Sequence, residues 1–133
     1  MAGETALATL LRSMSPQLNT GEYVFCTLPD HRIPAGCEVI GSFREPQGLT
    51  LILERQQAEL AGLPFDYVAA WITLNVHSAL EAVGLTAAFA GALGKAGISC
   101  NVIAGYYHDH LFVGHADAER AMDVLRHLAA NAE

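Results

Sequence analysis

Basic residues are scarce: 7 Lys and Arg stand against 14 Asp and Glu, for a formal net charge of -7. Such a chain lacks the clustered cations that displace counterions from nucleic acid, and an anionic membrane surface repels it. Long apolar runs are missing too. Thr73, Asn75, His77 and Glu81 interrupt the longest candidate, so no membrane span is expected. The first residues show no basic patch leading into an apolar core and a cleavage site, so no signal peptide is expected. Cysteine is limited to Cys26, Cys37 and Cys100, an odd, scattered set without a CxxC pair. That argues against a zinc module or a disulfide framework and fits reduced thiols in a cytoplasm. No serine or cysteine sits in a nucleophile motif, and no glycine loop has the P-loop or Rossmann pattern. No catalytic residue, metal ligand or cofactor is assigned on this basis.

Apolar residues are plentiful. They make up 52% of the 133 residues against 16% charged, which supports a sizeable core rather than disorder. The informative stretch begins at Trp71. Ile72, Leu74 and Val76 alternate with Thr73, Asn75 and His77, the period of a strand buried on one face. Gly84 follows, then Leu85, Phe89, Ala92, Leu93 and Ala96 at helical spacing. The first amides of such a helix have no partner within it, and its dipole favours an anion there. The joint is a neutral-walled socket suited to a small carboxylate, or else an ordinary strand–loop–helix connection with water on those amides.

Around it, residues 4–14 read as a short helix ended by Ser15-Pro16, and residues 23–28 as an interior strand. Residues 38–44 and 49–53 form a hairpin about Glu45-Pro46-Gln47-Gly48. Residues 55–63 are a short helix closed by Gly62 and Pro64. Residues 98–104 and 110–115 are strands joined by a turn at Tyr106-Tyr107-His108-Asp109. A last helix carries the stripe Ala118, Ala121, Met122, Leu125 and Leu128, with Asp117 placed to cap it. Strand–helix–strand–strand–helix is most of the split βαβ pattern of ferredoxin-like folds. The first half reads as a permuted or eroded version.

The strand at 72–76, the Gly84-Leu85 helix entry and the segment Leu93-Gly94-Lys95-Ala96-Gly97-Ile98-Ser99-Cys100-Asn101-Val102 resemble the ACT-domain family. Tyr23-Val24-Phe25, Phe43-Arg44-Glu45, Gly48-Leu49-Thr50-Leu51, residues 78–88 and Asn101 through His110 are similar to small bacterial proteins built from two tandem ACT-like modules. The resemblance implies an α+β, ferredoxin-like fold of βαββαβ modules packed side by side with antiparallel sheets. It implies a degenerate N-terminal module at 1–66 and a C-terminal module at 67–133. It also implies a non-enzymatic, regulatory role as a homodimer, with a small molecule, typically an amino acid, held at the module interface. The residues it points to are Ser78, Glu81, Val83, Gly84, Leu85 and Thr86 in the loop and helix entry, and Asn101, Val102 and Ile103 on the following strand. Val83 stands where many ACT domains have proline.

Two other readings compete. His108-Asp109-His110, with His77 and His115, points toward a metal: His108 and His110 would share a strand face, and imidazole pairs suit zinc in a small metal-dependent enzyme. Absence of a third ligand at fixed spacing, and a turn at His108-Asp109, weigh against it. Alternatively, the chain is an assembly domain that has lost ligand binding.

Overall fold

The computed structural model describes residues 2–76 and 84–132. The elements are α1 (Ala2–Ser13), β1 (Ser15–Leu28), β2 (Gly41–Glu45), β3 (Gly48–Glu54), α2 (Arg55–Leu60), β4 (Val68–Asn75), α3 (Leu85–Lys95), β5 (Cys100–Ala104), β6 (Asp109–Gly114) and α4 (Ala118–Ala130). They fall into two compact units: Met1–Thr20 with Ala70–Glu133, and Gly21–Ala69.

In the larger unit the strand order is β1-β4-β6-β5, and α1, α3 and α4 pack on one another. Strand pleating explains the layers. Ile72 and Leu74 of β4 and Leu111 and Val113 of β6 point to the helices, where Leu85, Phe89 and Leu93 of α3 and Ala121, Met122 and Leu125 of α4 meet them in one buried cluster. The helical stripes are those the spacing anticipates. Helix α3 stops where Gly97 takes a left-handed conformation and the Ile98 N–H reaches back to the Leu93 carbonyl at 3.0 Å, a Schellman closure. That closure delays β5, which starts at Cys100 rather than at residue 98.

The ferredoxin-like pattern places a further strand beside the first one. Here that strand is not one following α4 but the opening of β1. Ser15-Pro16, read from the sequence as the stop after the first helix, instead opens a strand that runs on through residues 17–22. Pro16 is tolerated near the strand's start, where no ladder amide is demanded of it. Leu18 packs on the core, while on the opposite face Asn19 Nδ2 donates to the Trp71 carbonyl at 3.2 Å and Asn75 Nδ2 to Gln17 Oε1 at 3.2 Å. The first 20 residues therefore belong with the C-terminal half.

The smaller unit has the order β2-β3-β1, with both pairings antiparallel. The hairpin closes at Glu45↔Gly48 as its turn residues suggest. Val24, Cys26 and Leu28 face Leu49, Leu51, Leu53 and Ala58 in a second core. Strand β2 begins later than expected, at Gly41, and α2 ends at Leu60, with the Leu63 N–H closing on the Ala58 carbonyl at 2.9 Å. Asp117 occupies the N-cap position of α4 but makes no cap bond; its carboxylate pairs with Arg120 at 3.2 Å instead.

Phe89 is 0% exposed at the centre of the larger core. Phe89→Ala is expected to destabilise the protein by roughly 3–5 kcal/mol, the transfer loss plus an unfilled cavity, measured by urea unfolding. A loss below about 1 kcal/mol would show that this core is not the one that holds the unit together.

Candidate functional site

Two regions of the larger unit contain the residues singled out from the sequence. The first is the start of α3. Gly84 is its N-cap, at φ 95° and ψ -18°, and the Ala88 N–H closes the first turn on the Gly84 carbonyl at 3.0 Å. The left-handed angle is one that glycine adopts without steric cost. A Cβ there would also stand 3.2 Å from Leu7 Cδ2, so α1 supplies an apolar wall beside the helix entry. Leu85 is buried and Thr86 exposed. Among the described residues no side chain caps this end, and leading amides of a helix suit an anion or water. Ser78, Glu81 and Val83, like His77, lie outside the described residues.

The second region is β5. Its register with β6 sets Asn101 opposite Phe112, Val102 opposite Leu111 and Ile103 opposite His110. Pleating then divides the predicted trio. Val102 packs towards the helices with the core, while Asn101 and Ile103 lie on the other face and are exposed. The structure thus does not gather all the predicted residues on one surface. What it does align is one end of the unit. A βαβ crossover makes β5 run in the same sense as β4, so the start of α3 and the Ala104 end of β5 lie at the same end.

A third constellation, which the sequence reading missed, occupies the sheet face away from the helices. Trp71 Nε1 donates to His110 Nδ1 at 3.0 Å. Thr73 Oγ1 lies 3.2 Å from the same nitrogen and accepts from Asn19 Nδ2 at 3.0 Å. The Trp71 ring stacks on Phe112 at 6.1 Å and tilts against the His110 ring at 5.7 Å. Strand alternation alone places Trp71, Thr73 and Asn75 on a common face; nothing local says that His110 arrives beside them.

The turn at 105–108 is built against that histidine. The Gly105 N–H donates to the His108 carbonyl at 2.9 Å. A Cβ at Gly105 would stand 2.8 Å from that carbonyl oxygen and 3.1 Å from His110 Nε2, so this close approach demands glycine. His108 belongs to the turn and β6 starts at Asp109, so His108 and His110 do not share a strand face as the metal reading supposed. His110 Nδ1 is committed to Trp71, and among the described residues no group of three or more His, Cys, Asp or Glu is arranged to hold a metal. His108 Nδ1 is buried without a hydrogen-bond partner among the described residues. Tyr106 and Tyr107 project into solvent, edge to face at 5.0 Å.

Burial sets the electrostatics here. It pushes His110 below its ordinary value of 6.5, with His108 adding to the effect and Asp109 opposing it. It pushes the Asp109 carboxyl up, with His110 opposing. The thiols are unlike activated nucleophiles: burial raises Cys26, with Cys37 adding to it, and burial raises Cys100.

Each unit also has an open cavity. One of about 580 Å³ lies between α3 and α4, floored by Ala92, Val124 and Leu128 and rimmed by Lys95, Asp123 and His127. The other, of about 530 Å³, surrounds Arg55, which pairs with Glu22 at 3.3 Å and Glu59 at 3.4 Å. Neither is lined by a residue that the sequence offered as a ligand contact.

Helices packed against antiparallel strands in this order define an α+β protein of the ferredoxin-like class. The chain belongs to the ACT domain family: one ACT-domain model matches residues 2–70 and a second residues 67–127. ACT domains are regulatory, small-molecule-binding domains. No curated protein sequence matches the chain. Among solved structures, one from Vibrio cholerae, described as a protein of unknown function and possible transport protein, is 52% identical, with a TM-score of 0.84 over 96% of this chain and 98% of that one. The ligand-free regulatory subunit of aspartate kinase from Thermus thermophilus is 11% identical, with a TM-score of 0.63 over 85% of this chain and 95% of that one. E. coli aspartokinase III, solved with aspartate and ADP, is 14% identical with a TM-score of 0.62; the match covers 92% of this chain and 34% of that enzyme. The last two show likeness of fold.

Because the folded His110 resists a proton that the unfolded chain accepts, its contribution to stability is present above pH 6.5 and is lost as the pH falls through that value towards its lowered folded one. Asp109, raised when folded, acts oppositely: its contribution is present in acid and lost as the pH rises through its folded value. His110→Gln is expected to flatten the fall in thermal midpoint between about pH 7 and pH 5, measured by calorimetry. An unchanged slope would mean that this histidine is not resisting its proton.

Proposed function

We propose that the chain is a regulatory protein without catalytic activity that binds an amino acid, acts in the cytoplasm and works as a homodimer. The observation that carries the reading is Gly84, whose left-handed conformation opens α3 beside the apolar Leu7, with no side-chain cap among the described residues. An amino acid's carboxylate suits the leading amides, and its side chain suits the apolar wall. In this reading Gly84, Leu85 and Thr86 hold the carboxylate end, Ser78, Glu81 and Val83 complete the loop around the ammonium end, and Asn101, Val102 and Ile103 supply the strand. Along the sequence the modules would be residues 1–66 and 67–133, the first lending residues 1–20 to the compact unit of the second, with the ligand at a module interface. Signalling would follow from a difference in affinity between two packing states, the only route by which a ligand shifts an equilibrium. No cofactor enters this scheme, and neither nucleic acid nor a membrane is a partner. Among the described residues no helix is long and apolar enough to cross a membrane.

A thermal-shift screen against the amino acids tests this. A specific ligand at about 100 times its Kd is expected to add about 2.7 kcal/mol of stability. Gly84→Val is expected to abolish that binding, because the new methyls fill the carboxylate's approach. Its backbone strain costs roughly 1–3 kcal/mol, so binding is measured by calorimetry on protein shown to be folded. Full binding by folded Gly84→Val would remove the site from α3.

Self-association has its own support. Strand β5 ends the strand order of the larger unit and carries the exposed Ile103, and an unpaired edge invites a second chain. Sedimentation at micromolar concentration is expected to give a dimer; a monomer would contradict this part.

A further inference from the structure

We propose that His110 is a two-position proton latch: neutral, it holds the Trp71 indole, and protonated, it releases the indole and donates to Thr73 instead. The argument begins with donors. The indole Nε1–H can only donate. Its bond to His110 Nδ1 at 3.0 Å therefore requires a lone pair on that nitrogen, which places the neutral ring's single proton on Nε2. A proton taken from solvent can then add only at Nδ1, and there it faces the indole N–H, two donors against each other. That bond must break. Thr73 Oγ1 is already 3.2 Å from the same nitrogen. A hydroxyl oxygen has two lone pairs; one accepts from Asn19 Nδ2, and the other is available to the new Nδ1–H. The imidazolium thus finds an acceptor without moving, and the indole loses its own.

The surroundings make the two states unequal. Burial disfavours charge on His110, and among the described residues the titratable groups acting on it are His108, which disfavours it further, and Asp109, which favours it. From β4 the neighbours are Trp71 and Thr73, from β1 Asn19 beyond Thr73, and from β5 Ile103 opposite in register, none of them charged. The neutral, indole-holding state is consequently the resting one near neutrality. Release of Trp71, which otherwise spans Phe112 and His110, loosens the sheet face that carries Asn101 and Ile103. Acid therefore changes that face with no change in the core beneath it.

Trp71 is the single tryptophan of the chain, so its indole signal in ¹H–¹⁵N NMR reports the latch directly. In the full-length protein the indole N–H is expected to move upfield, and to exchange faster with solvent, with the same midpoint as the His110 ring, which is assigned by its loss in His110→Gln. Two variants should move that midpoint in opposite directions. Trp71→Phe removes the donor that stabilises the neutral ring and raises it. Thr73→Val removes the acceptor for the cation and lowers it, with Thr73→Ser restoring the parent value. A histidine that merely fills space would shift the same way in both variants, through altered burial. The proposal is overturned if the indole signal does not follow the His110 titration, or if both variants move the midpoint in the same direction. Should Thr73→Val fail to fold, the parent titration and the direction of the Trp71→Phe shift decide the matter.

Discussion

Strand β4 has to satisfy two environments at once, and the larger unit depends on how it does so. Its pleat sends Ile72 and Leu74 into a dry layer beneath three helices, and sends Trp71, Thr73 and Asn75 to the opposite face. Apolar side chains meet the first demand through area removed from water. The second demand is harder, because an indole N–H and a threonine hydroxyl on a partly buried surface must find partners or forfeit their hydration. The indole donates to His110 from β6, the Thr73 hydroxyl lies between His110 and Asn19 of β1, and Asn75 beside them donates to Gln17 of β1. The polar face thus specifies which strands stand beside β4, while the apolar face contributes most of the stability.

That division of labour also locates chemistry. The helix entry and the sheet face differ in what their polar groups can still do. At the start of α3 the groups without a side-chain cap among the described residues are backbone amides, with the apolar Leu7 beside Gly84. On the sheet face the polar groups are already bonded to one another, so their response is to protons rather than to a ligand. The turn at 105–108 joins the two, since it lies at the same end as the α3 entry and its Gly105 sits against the His110 ring.

Particular elements show how far local pattern reaches. Helices α3 and α4 lie where their 3.6-residue stripes put them, and Gly97 ends α3 by the closure its position suggests. The hairpin of β2 and β3 follows from Pro46 and Gly48. The opening of β1 was illegible because Pro16 and Gly21 look like punctuation, and the residues between them are strand only by virtue of bonds to β4. Asn19 bonds to a carbonyl 52 residues away and to a hydroxyl 54 residues away, and no window of neighbours contains that information. Likewise His108 and His110 suggest a metal face by spacing, but the turn runs one residue further than that reading allows, and β6 starts only at Asp109.

By itself the amino-acid order determined the secondary structure of the second half, the glycine at the α3 entry and the family to which these segments point, because periodicity and backbone freedom act over a few residues. Only the tertiary structure decided that residues 1–20 join the C-terminal half, that Asn101 and Ile103 part company with Val102, and that Trp71 meets His110 across 39 positions. Those outcomes rest on hydrogen bonds and packing between strands far apart in the chain. Such contacts form only once burial has brought the strands side by side, and then each polar group takes the partner that geometry leaves within reach.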